Sequence, residues 1–144
     1  MIRRILHPSD FSTASQGAFK KAVELAKASR AELTIVHVLS SVMPVPGDGY
    51  ISPKVYEELD RSGRAWANKQ LAKRVAAAKA AGVRAKGRLI EGIAHEQIVR
   101  AAKRTDLVVM GTHGRSGLVK FFLGSVAGRV VAAAPGPVLT VRGK

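Results

Sequence analysis

Short apolar stretches alternate with longer amphipathic segments along this chain of 144 residues. A run of about four to eight apolar or β-branched residues predicts a strand, whereas apolar residues spaced three or four apart predict a helix. The predicted strands are residues 4–8, 33–39, 84–89, 107–110 and 138–141, and the predicted helices extend from the first loop to residue 29 and over 52–82, 93–103 and 126–134. This βαβαβαβαβ order predicts a parallel sheet with right-handed crossovers and helices on both faces, folded as one α/β domain over residues 1–144.

Two of the predicted strands differ in how their side chains are distributed. Residues 33–39 are apolar nearly throughout and rich in β-branched side chains, as expected for a central strand whose two faces are both covered by helices. Arg84, Lys86 and Arg88 instead alternate with small or apolar residues in the third strand. Such charges protect an exposed strand from unwanted pairing, so we expect this strand at an edge of the sheet.

The first loop combines helix-start residues with an acidic side chain. Pro8 closes the first strand, and Asp10, Ser12 or Thr13 can cap the helix that follows. Asp10 therefore has two interpretations: a helix cap, or a carboxylate at the C-terminal edge of the sheet, where open α/β folds bind ligands. The two roles do not exclude each other.

A glycine-rich stretch joins the fourth strand to the fourth helix. It consists of Gly-Thr-His-Gly at residues 111–114, followed by Gly124 and Ser125. Glycine lets the backbone adopt positive φ or approach a ligand closely. The unpaired N–H groups of a helix's first turn, together with the helix dipole, favour an anion. Strand, glycine loop and helix N-terminus therefore predict a phosphate site.

The spacing G-x2-G-x9-G-[ST] after the fourth strand resembles the ATP-binding signature of the universal stress protein (UspA-type) family. Gly111, Gly114, Gly124 and Ser125 match it in order, and the resemblance spans essentially the whole chain. It implies an open five-stranded sheet of order 3-2-1-4-5, of the adenine-nucleotide-binding type. In that order the ligand site lies between strands 1 and 4, where Asp10 and Gly111 would meet.

The resemblance also implies how the base and ribose are held. Residues Pro8, Ser9 and Asp10 resemble the family's first-strand motif, in which the acidic residue contacts the nucleotide. The backbone around Val38 would face the adenine, because an apolar residue can pack against the base while main-chain groups contact its edge.

The resemblance further implies ATP as the ligand, with Mg or Mn held only through its phosphates. The glycine-loop N–H groups and Ser125 would bind these phosphates, and Arg115 or Lys120 would add positive charge. His113 has two interpretations: a contact to phosphate or ribose, or a surface residue of the loop. The expected nucleotide-binding residues are Pro8, Ser9, Asp10, Val38, Met110, Gly111, Thr112, His113, Gly114, Arg115, Ser116, Gly117, Gly124, Ser125, Val126 and Ala127.

Charge is unevenly distributed along the chain, whose formal net charge is +14. Residues 1–60 hold seven Lys or Arg and seven Asp or Glu, whereas residues 61–144 hold seventeen and three. The excess either keeps helix faces solvated or forms a polyanion-binding surface. Because the basic residues are dispersed and aromatic residues make up only 5% of the chain, a nucleic-acid partner is not favoured.

Composition excludes several other classes of protein. With 47% hydrophobic residues and no apolar run near the ~18 residues needed to cross a bilayer, we expect neither disorder nor a membrane partner. The N-terminus lacks a signal-peptide pattern, and the absence of cysteine excludes disulfides and thiolate chemistry. We therefore expect a cytoplasmic protein.

Candidate catalytic and metal-binding residues are scarce. His7 and His37 lie near the ends of two strands, but no Cys, Asp or Glu shares their spacing, so no metal site is predicted. The chain also lacks the G-x4-G-K-[ST] motif of P-loop enzymes and a G-x-G-x-x-G after the first strand. No catalytic residue is assigned.

The leading hypothesis is an ATP-binding regulatory protein of the stress response. A slow ATPase is the first alternative, and a nucleic-acid-binding protein acting through residues 61–144 is the second. Residues 138–141 would form an uncharged edge strand that needs pairing or cover. Together with the family resemblance, this predicts a homodimer joined through antiparallel last strands.

Overall fold

The computed structural model describes residues 1–40, 52–113 and 123–143. Within these ranges, five strands alternate with four α-helices, and a short 3-10 turn at Thr13–Ser15 precedes the first helix. The elements are β1 (Arg4–Pro8), α1 (Gln16–Ser29), β2 (Glu32–Leu39), α2 (Pro53–Ala80), β3 (Arg84–Glu91), α3 (Ala94–Ala102), β4 (Leu107–Gly111), α4 (Ser125–Ala133) and β5 (Val138–Val141). The predicted alternation of strand and helix is confirmed.

All strand pairs in the sheet are parallel, and the strand order is β3-β2-β1-β4-β5. This confirms the order 3-2-1-4-5 expected from the family resemblance. β3 lies at one edge, as its alternating cations predicted, and Arg84, Lys86 and Arg88 are all exposed. β5 forms the opposite edge.

Apolar side chains cover both faces of the sheet, because successive residues of a strand point to opposite sides. One face packs against α1 and α2, and the other packs against α3 and α4. The first cluster includes Ile5, Leu33, Ile35 and Val109 with Phe19, Ala22 and Ala26 of α1 and Leu71 and Ala78 of α2. The second includes Leu6, Val36, Val108 and Met110 with Ile98 and Ala102 of α3 and Ala127 and Val130 of α4.

Local sequence explains where two of the helices begin. Ser52 caps α2 by accepting a hydrogen bond from the Val55 N–H, and Pro53 occupies the first turn, where no N–H is needed. Ser12, rather than Asp10 or Thr13, caps the turn before α1 by accepting from the Ser15 N–H at 3.2 Å.

The helices of the described ranges include none with the length and apolar character that a membrane span requires.

β1 and β4 separate at the end of the sheet where their carboxyl termini lie. Their register pairs Ile5 with Leu107 and Leu6 with Val108 and goes no further, whereas β1 stays paired with β2 as far as Pro8. Beyond that point the His7 side chain replaces the strand ladder: its Nδ1 lies 2.9 Å from the Val109 carbonyl oxygen. A buried imidazole thus holds the two strands together where the backbones diverge.

The geometry fixes the protonation of His7. Because a carbonyl only accepts hydrogen bonds, Nδ1 carries the proton, and Nε2 is the unprotonated atom of the neutral ring. Nε2 is buried and has no hydrogen-bond partner among the residues that the structure describes. The pKa of His7 is lowered from 6.5 to about 4, chiefly by burial; the Val109 carbonyl and Asp10 act in the raising direction, and the nearby Arg74 cation adds to the lowering.

This shift predicts a loss of stability in mild acid. Between pH 6.5 and 4 the unfolded chain takes up a proton at His7 and the folded protein does not, so stability falls as the pH falls. Lowering the pH from 8 to 5 should therefore reduce the free energy of unfolding by about 2 kcal/mol through His7. The variant His7→Asn keeps an N–H for the Val109 carbonyl but cannot titrate.

Urea unfolding of both proteins at pH 8 and pH 5 measures this difference. The wild type should lose about 2 kcal/mol more than His7→Asn over this range. Equal losses in the two proteins would show that the His7 ring is not held neutral by the fold.

Candidate functional site

A cavity of about 240 Å³ opens at the carboxyl edge of the sheet, where β1 and β4 diverge. It is lined by Pro8, Ser9, Asp10, Ser15, Val36, His37, Val38, Ala94, Ile98, Met110, Gly111, Thr112, His113, Gly124, Ser125, Val126 and Ala127. These residues come from the carboxyl ends of β1, β2 and β4 and from the N-terminal parts of α3 and α4. This is the topological switch point at which open parallel sheets bind their ligands.

The loop after β1 supplies the acidic side of the cavity. Asp10 Oδ1 accepts a hydrogen bond from the Ser12 N–H at 2.9 Å, and Ser9 Oγ accepts one from the Phe11 N–H at 3.0 Å. The Ser9 N–H donates to the Val36 carbonyl of β2 at 2.9 Å. Side chains of the loop thus bond to its own backbone, and its first residue remains attached to the sheet.

Arg74 of α2 contributes positive charge near Asp10. Partial burial lowers the pKa of the Arg74 guanidinium, and the Asp10 carboxylate acts in the opposite direction. The guanidinium carbon also lies 5.1 Å from the centre of the Phe19 ring, in a cation–π arrangement. Arg74 thus places a cation of α2 near the acidic loop.

Part of the cavity lining is apolar. Val36 and Val38 come from β2, Met110 from β4, and Ala94 and Ile98 from α3. A wall of this kind suits a flat, weakly polar group such as an aromatic base, whose polar edge can reach main-chain groups at the strand ends.

The end of β4 forms the opposite polar side. The Thr112 N–H donates to the Val141 carbonyl of β5 at 3.0 Å, which aligns the residues beyond the strand. Thr112 Oγ1 lies 2.9 Å from His113 Nδ1, and His113 Nε2 is a buried atom with no hydrogen-bond partner in the described part of the chain. When the Thr112 hydroxyl donates to Nδ1, Nε2 carries a proton and is a donor.

The N-terminus of α4 completes the cavity, and the helix begins one residue earlier than predicted, at Ser125. Gly124 is the N-cap residue, and Ser125 is the first residue inside the helix. No side chain of the described residues caps this end, so the amides of the first turn at residues 125–127 face the cavity region as hydrogen-bond donors. The helix dipole adds partial positive charge at the same place.

Glycine is required at position 124 by close packing rather than by φ, which is −58°. The Gly124 N–H donates to the Thr112 carbonyl oxygen at 2.6 Å, and a Cβ on Gly124 would lie 2.9 Å from that oxygen. Gly111 likewise lacks positive φ. The sequence suggested positive φ or close approach to a ligand; at Gly124 the structure shows instead a close approach to the Thr112 carbonyl of the same chain.

The structure brings together the predicted site residues that it describes. Those lining the cavity are Pro8, Ser9, Asp10, Val38, Met110, Gly111, Thr112, His113, Gly124, Ser125, Val126 and Ala127. The predictions at Gly114, Arg115, Ser116 and Gly117, and at Lys120, lie outside the described residues. In the described ranges, no three His, Cys, Asp or Glu residues form a group that could hold a metal ion.

Sequence reasoning missed five residues that line the cavity: Ser15, Val36, His37, Ala94 and Ile98. Two of them had a usable signal, since Ala94 and Ile98 are four apart on a helix that directly follows a strand of the same parallel sheet. Val36 and His37 precede the predicted Val38 on β2. Ser15 lies in the 3-10 turn before α1, a feature that the sequence pattern did not indicate.

Residues 1–142 match the sequence profile of the universal stress protein family. A universal stress protein of Methanocaldococcus jannaschii is 36% identical over 146 residues, which cover 99% of this chain and 83% of that protein. The structure of universal stress protein UspA from Lactobacillus plantarum aligns with a TM-score of 0.83, 29% identity and 98% coverage of both chains. A universal stress protein solved in complex with cAMP aligns with a TM-score of 0.73 and 26% identity, covering 98% of this chain and 97% of the other.

Proposed function

The chain belongs to the universal stress protein family, and from this premise we propose that it is an ATP-binding regulatory protein of the stress response, acting in the cytoplasm. Nucleotide occupancy would change its conformation or its partners. The observation that carries the proposal is the cavity at the switch point: each expected binding residue within the described ranges lines it. The cAMP complex of a relative supports an adenine nucleotide as the ligand class.

The adenine base would bind against the apolar residues that line the cavity. Adenine would lie between the β2 end and α3, against Val38, Ala94 and Ile98, with main-chain groups at Val38 contacting its edge. A planar base gains apolar burial there, while directional hydrogen bonds to the backbone give specificity.

Asp10 accounts for the ribose. Asp10 lines the cavity, and its carboxylate is a hydrogen-bond acceptor. Sugar hydroxyl groups are donors that suit such an acceptor.

Three kinds of donor account for the phosphates. They are the first-turn amides of α4, the Ser125 hydroxyl group and the protonated Nε2 of His113. Anions are favoured at a helix N-terminus by both the unpaired N–H groups and the dipole. Mg or Mn would be carried by the phosphate oxygens of the nucleotide and would neutralise their charge.

Removing the Ser125 hydroxyl group tests the phosphate contacts. A charge-assisted hydrogen bond is worth about 1.5–3 kcal/mol, so Ser125→Ala should weaken ATP binding by about tenfold or more. Adenosine, which has no phosphates, should bind with nearly unchanged affinity. Ser125→Ala is a cleaner probe than Gly124→Val, because a side chain at Gly124 would meet the Thr112 carbonyl and disturb the loop itself.

Isothermal titration calorimetry with ATP and adenosine measures both affinities, and circular dichroism verifies folding. Ser62→Ala is the matched control, because Ser62 is an exposed helical serine of α2 that does not line the cavity. An ATP affinity in Ser125→Ala equal to that of the wild type would contradict the assignment of this hydroxyl group to the phosphates.

We also propose a homodimer joined through β5. The strand is an edge of the sheet, and Leu139 remains 38% exposed on it, while Val131 on the adjoining α4 is 47% exposed. An apolar edge strand with unpaired N–H and C=O groups is a ready template for a second copy. Antiparallel pairing of two β5 strands would satisfy these groups and bury both side chains.

A charge on the edge strand should abolish this assembly. Leu139→Lys brings two cations together across the two-fold axis and should shift the protein from dimer to monomer in light scattering. Lys69→Leu, on the exposed face of α2, is a charge-changing control that should leave the mass unchanged. A wild-type protein that is monomeric at high concentration would refute the dimer.

A further inference from the structure

Three aromatic rings from different elements meet beside the cavity. Phe11 of the β1–α1 loop stacks on His37 of β2, with ring centroids 4.6 Å apart and planes inclined by 27°. Trp66 of α2, the single tryptophan of the chain, meets both rings edge-on at 5.6 Å and 6.4 Å. We call Phe11, His37 and Trp66 the aromatic cluster. Of these, His37 lines the cavity.

His37 also makes a directional bond to the loop that carries Asp10. Its Nδ1 lies 2.7 Å from the Ser9 carbonyl oxygen. Because a carbonyl can only accept, the imidazole donates through Nδ1. The Ser9 N–H bonds the Val36 carbonyl on the same strand, so β2 holds both backbone groups of Ser9.

Phe11 has a backbone conformation that needs external support. Its φ is 62°, in the left-handed region that a residue with a bulky side chain rarely adopts. Such conformations persist where the surroundings hold them, and they concentrate at ligand sites. Here the stacked His37 ring, the Trp66 edge and the bond from the Phe11 N–H to Ser9 Oγ hold the residue in place.

Asp10 lies between these two fixed residues. His37 bonds the carbonyl group of Ser9 on one side of Asp10 and stacks on the ring of Phe11 on the other. One side chain therefore sets the backbone on both sides of the carboxylate. An apolar residue at position 37 could fill the space, but it could not hold the Ser9 carbonyl.

We infer that His37 is a positioning residue for sugar recognition: through Ser9 and Phe11 it fixes the carboxylate of Asp10 where the ribose hydroxyl groups of an adenine nucleotide are bound. The inference rests on the proposed function, since it assigns a role within the same site. It adds a determinant of ligand specificity on β2, in contact with α2 through Trp66. Discrimination between sugars would then depend on an aromatic cluster outside the glycine loop.

Two substitutions at one position separate the hydrogen bond from the ring. His37→Phe keeps an aromatic ring against Phe11 and removes the donor to the Ser9 carbonyl. His37→Asn keeps an N–H near the position of Nδ1 and removes the ring. Should His37→Phe fail to fold, Phe11→Asn removes the stacked ring while keeping a residue type that tolerates positive φ.

Binding of ATP and of 2′,3′-dideoxy-ATP, measured by calorimetry, provides the readout. The two ligands share base and phosphates, so the ratio of their affinities reports only the sugar hydroxyl groups. The wild type should prefer ATP by about tenfold or more, because two hydrogen bonds to a carboxylate are at stake. His37→Phe should reduce the preference to about threefold or less, and Phe11→Asn should also lower it. His37→Asn should keep a larger preference than His37→Phe, because it retains a donor for the Ser9 carbonyl, and a smaller one than the wild type, because it loses the ring stacked on Phe11.

The outcomes separate the inference from the function on which it rests. Wild-type protein that binds neither ligand refutes the proposed function. Wild-type protein that prefers ATP while His37→Phe keeps the full preference overturns the positioning role alone. Equal wild-type affinity for both ligands also overturns it. Loss of thermal stability in His37→Phe with an unchanged ratio identifies His37 as a packing residue only.

Discussion

The separation of β1 from β4 beyond Leu6 and Val108 is the constraint on which the rest of the site depends. Two parallel strands that stayed paired to their ends would leave no room for a cavity between them. Where the ladder has ended, the His7 imidazole links the two strands by bonding the Val109 carbonyl oxygen. This ring is fully buried, so the link lies within the core beneath the cavity.

Two histidines at this edge of the sheet make the same kind of hydrogen bond, with different consequences. His7 donates to the Val109 carbonyl and links β1 to β4, whereas His37 donates to the Ser9 carbonyl and holds the acidic loop in place. In both, Nδ1 bonds a main-chain oxygen. Polar side chains thereby fix the backbone on both sides of the cavity, and the helix N-terminus of α4 supplies the donors between them.

The fold could be predicted from the sequence because its signals are local and repeated. Apolar runs, helix caps such as Ser52 and the cations of β3 each indicate one element. The strand order came only from the family resemblance. Contacts between distant elements carry no such signal. Nothing in the spacing of Phe11, His37 and Trp66 indicates that they meet, and the role of Gly124 depends on the position of the Thr112 carbonyl.

The nucleotide content of the purified protein tests the central claim most directly. Protein prepared without added nucleotide is denatured, and the supernatant is chromatographed against adenine nucleotide standards. We expect an adenine nucleotide, principally ATP, in amounts approaching one per chain, or stoichiometric binding when ATP is added to nucleotide-free protein. No nucleotide in the supernatant, together with no binding of added ATP, would contradict it.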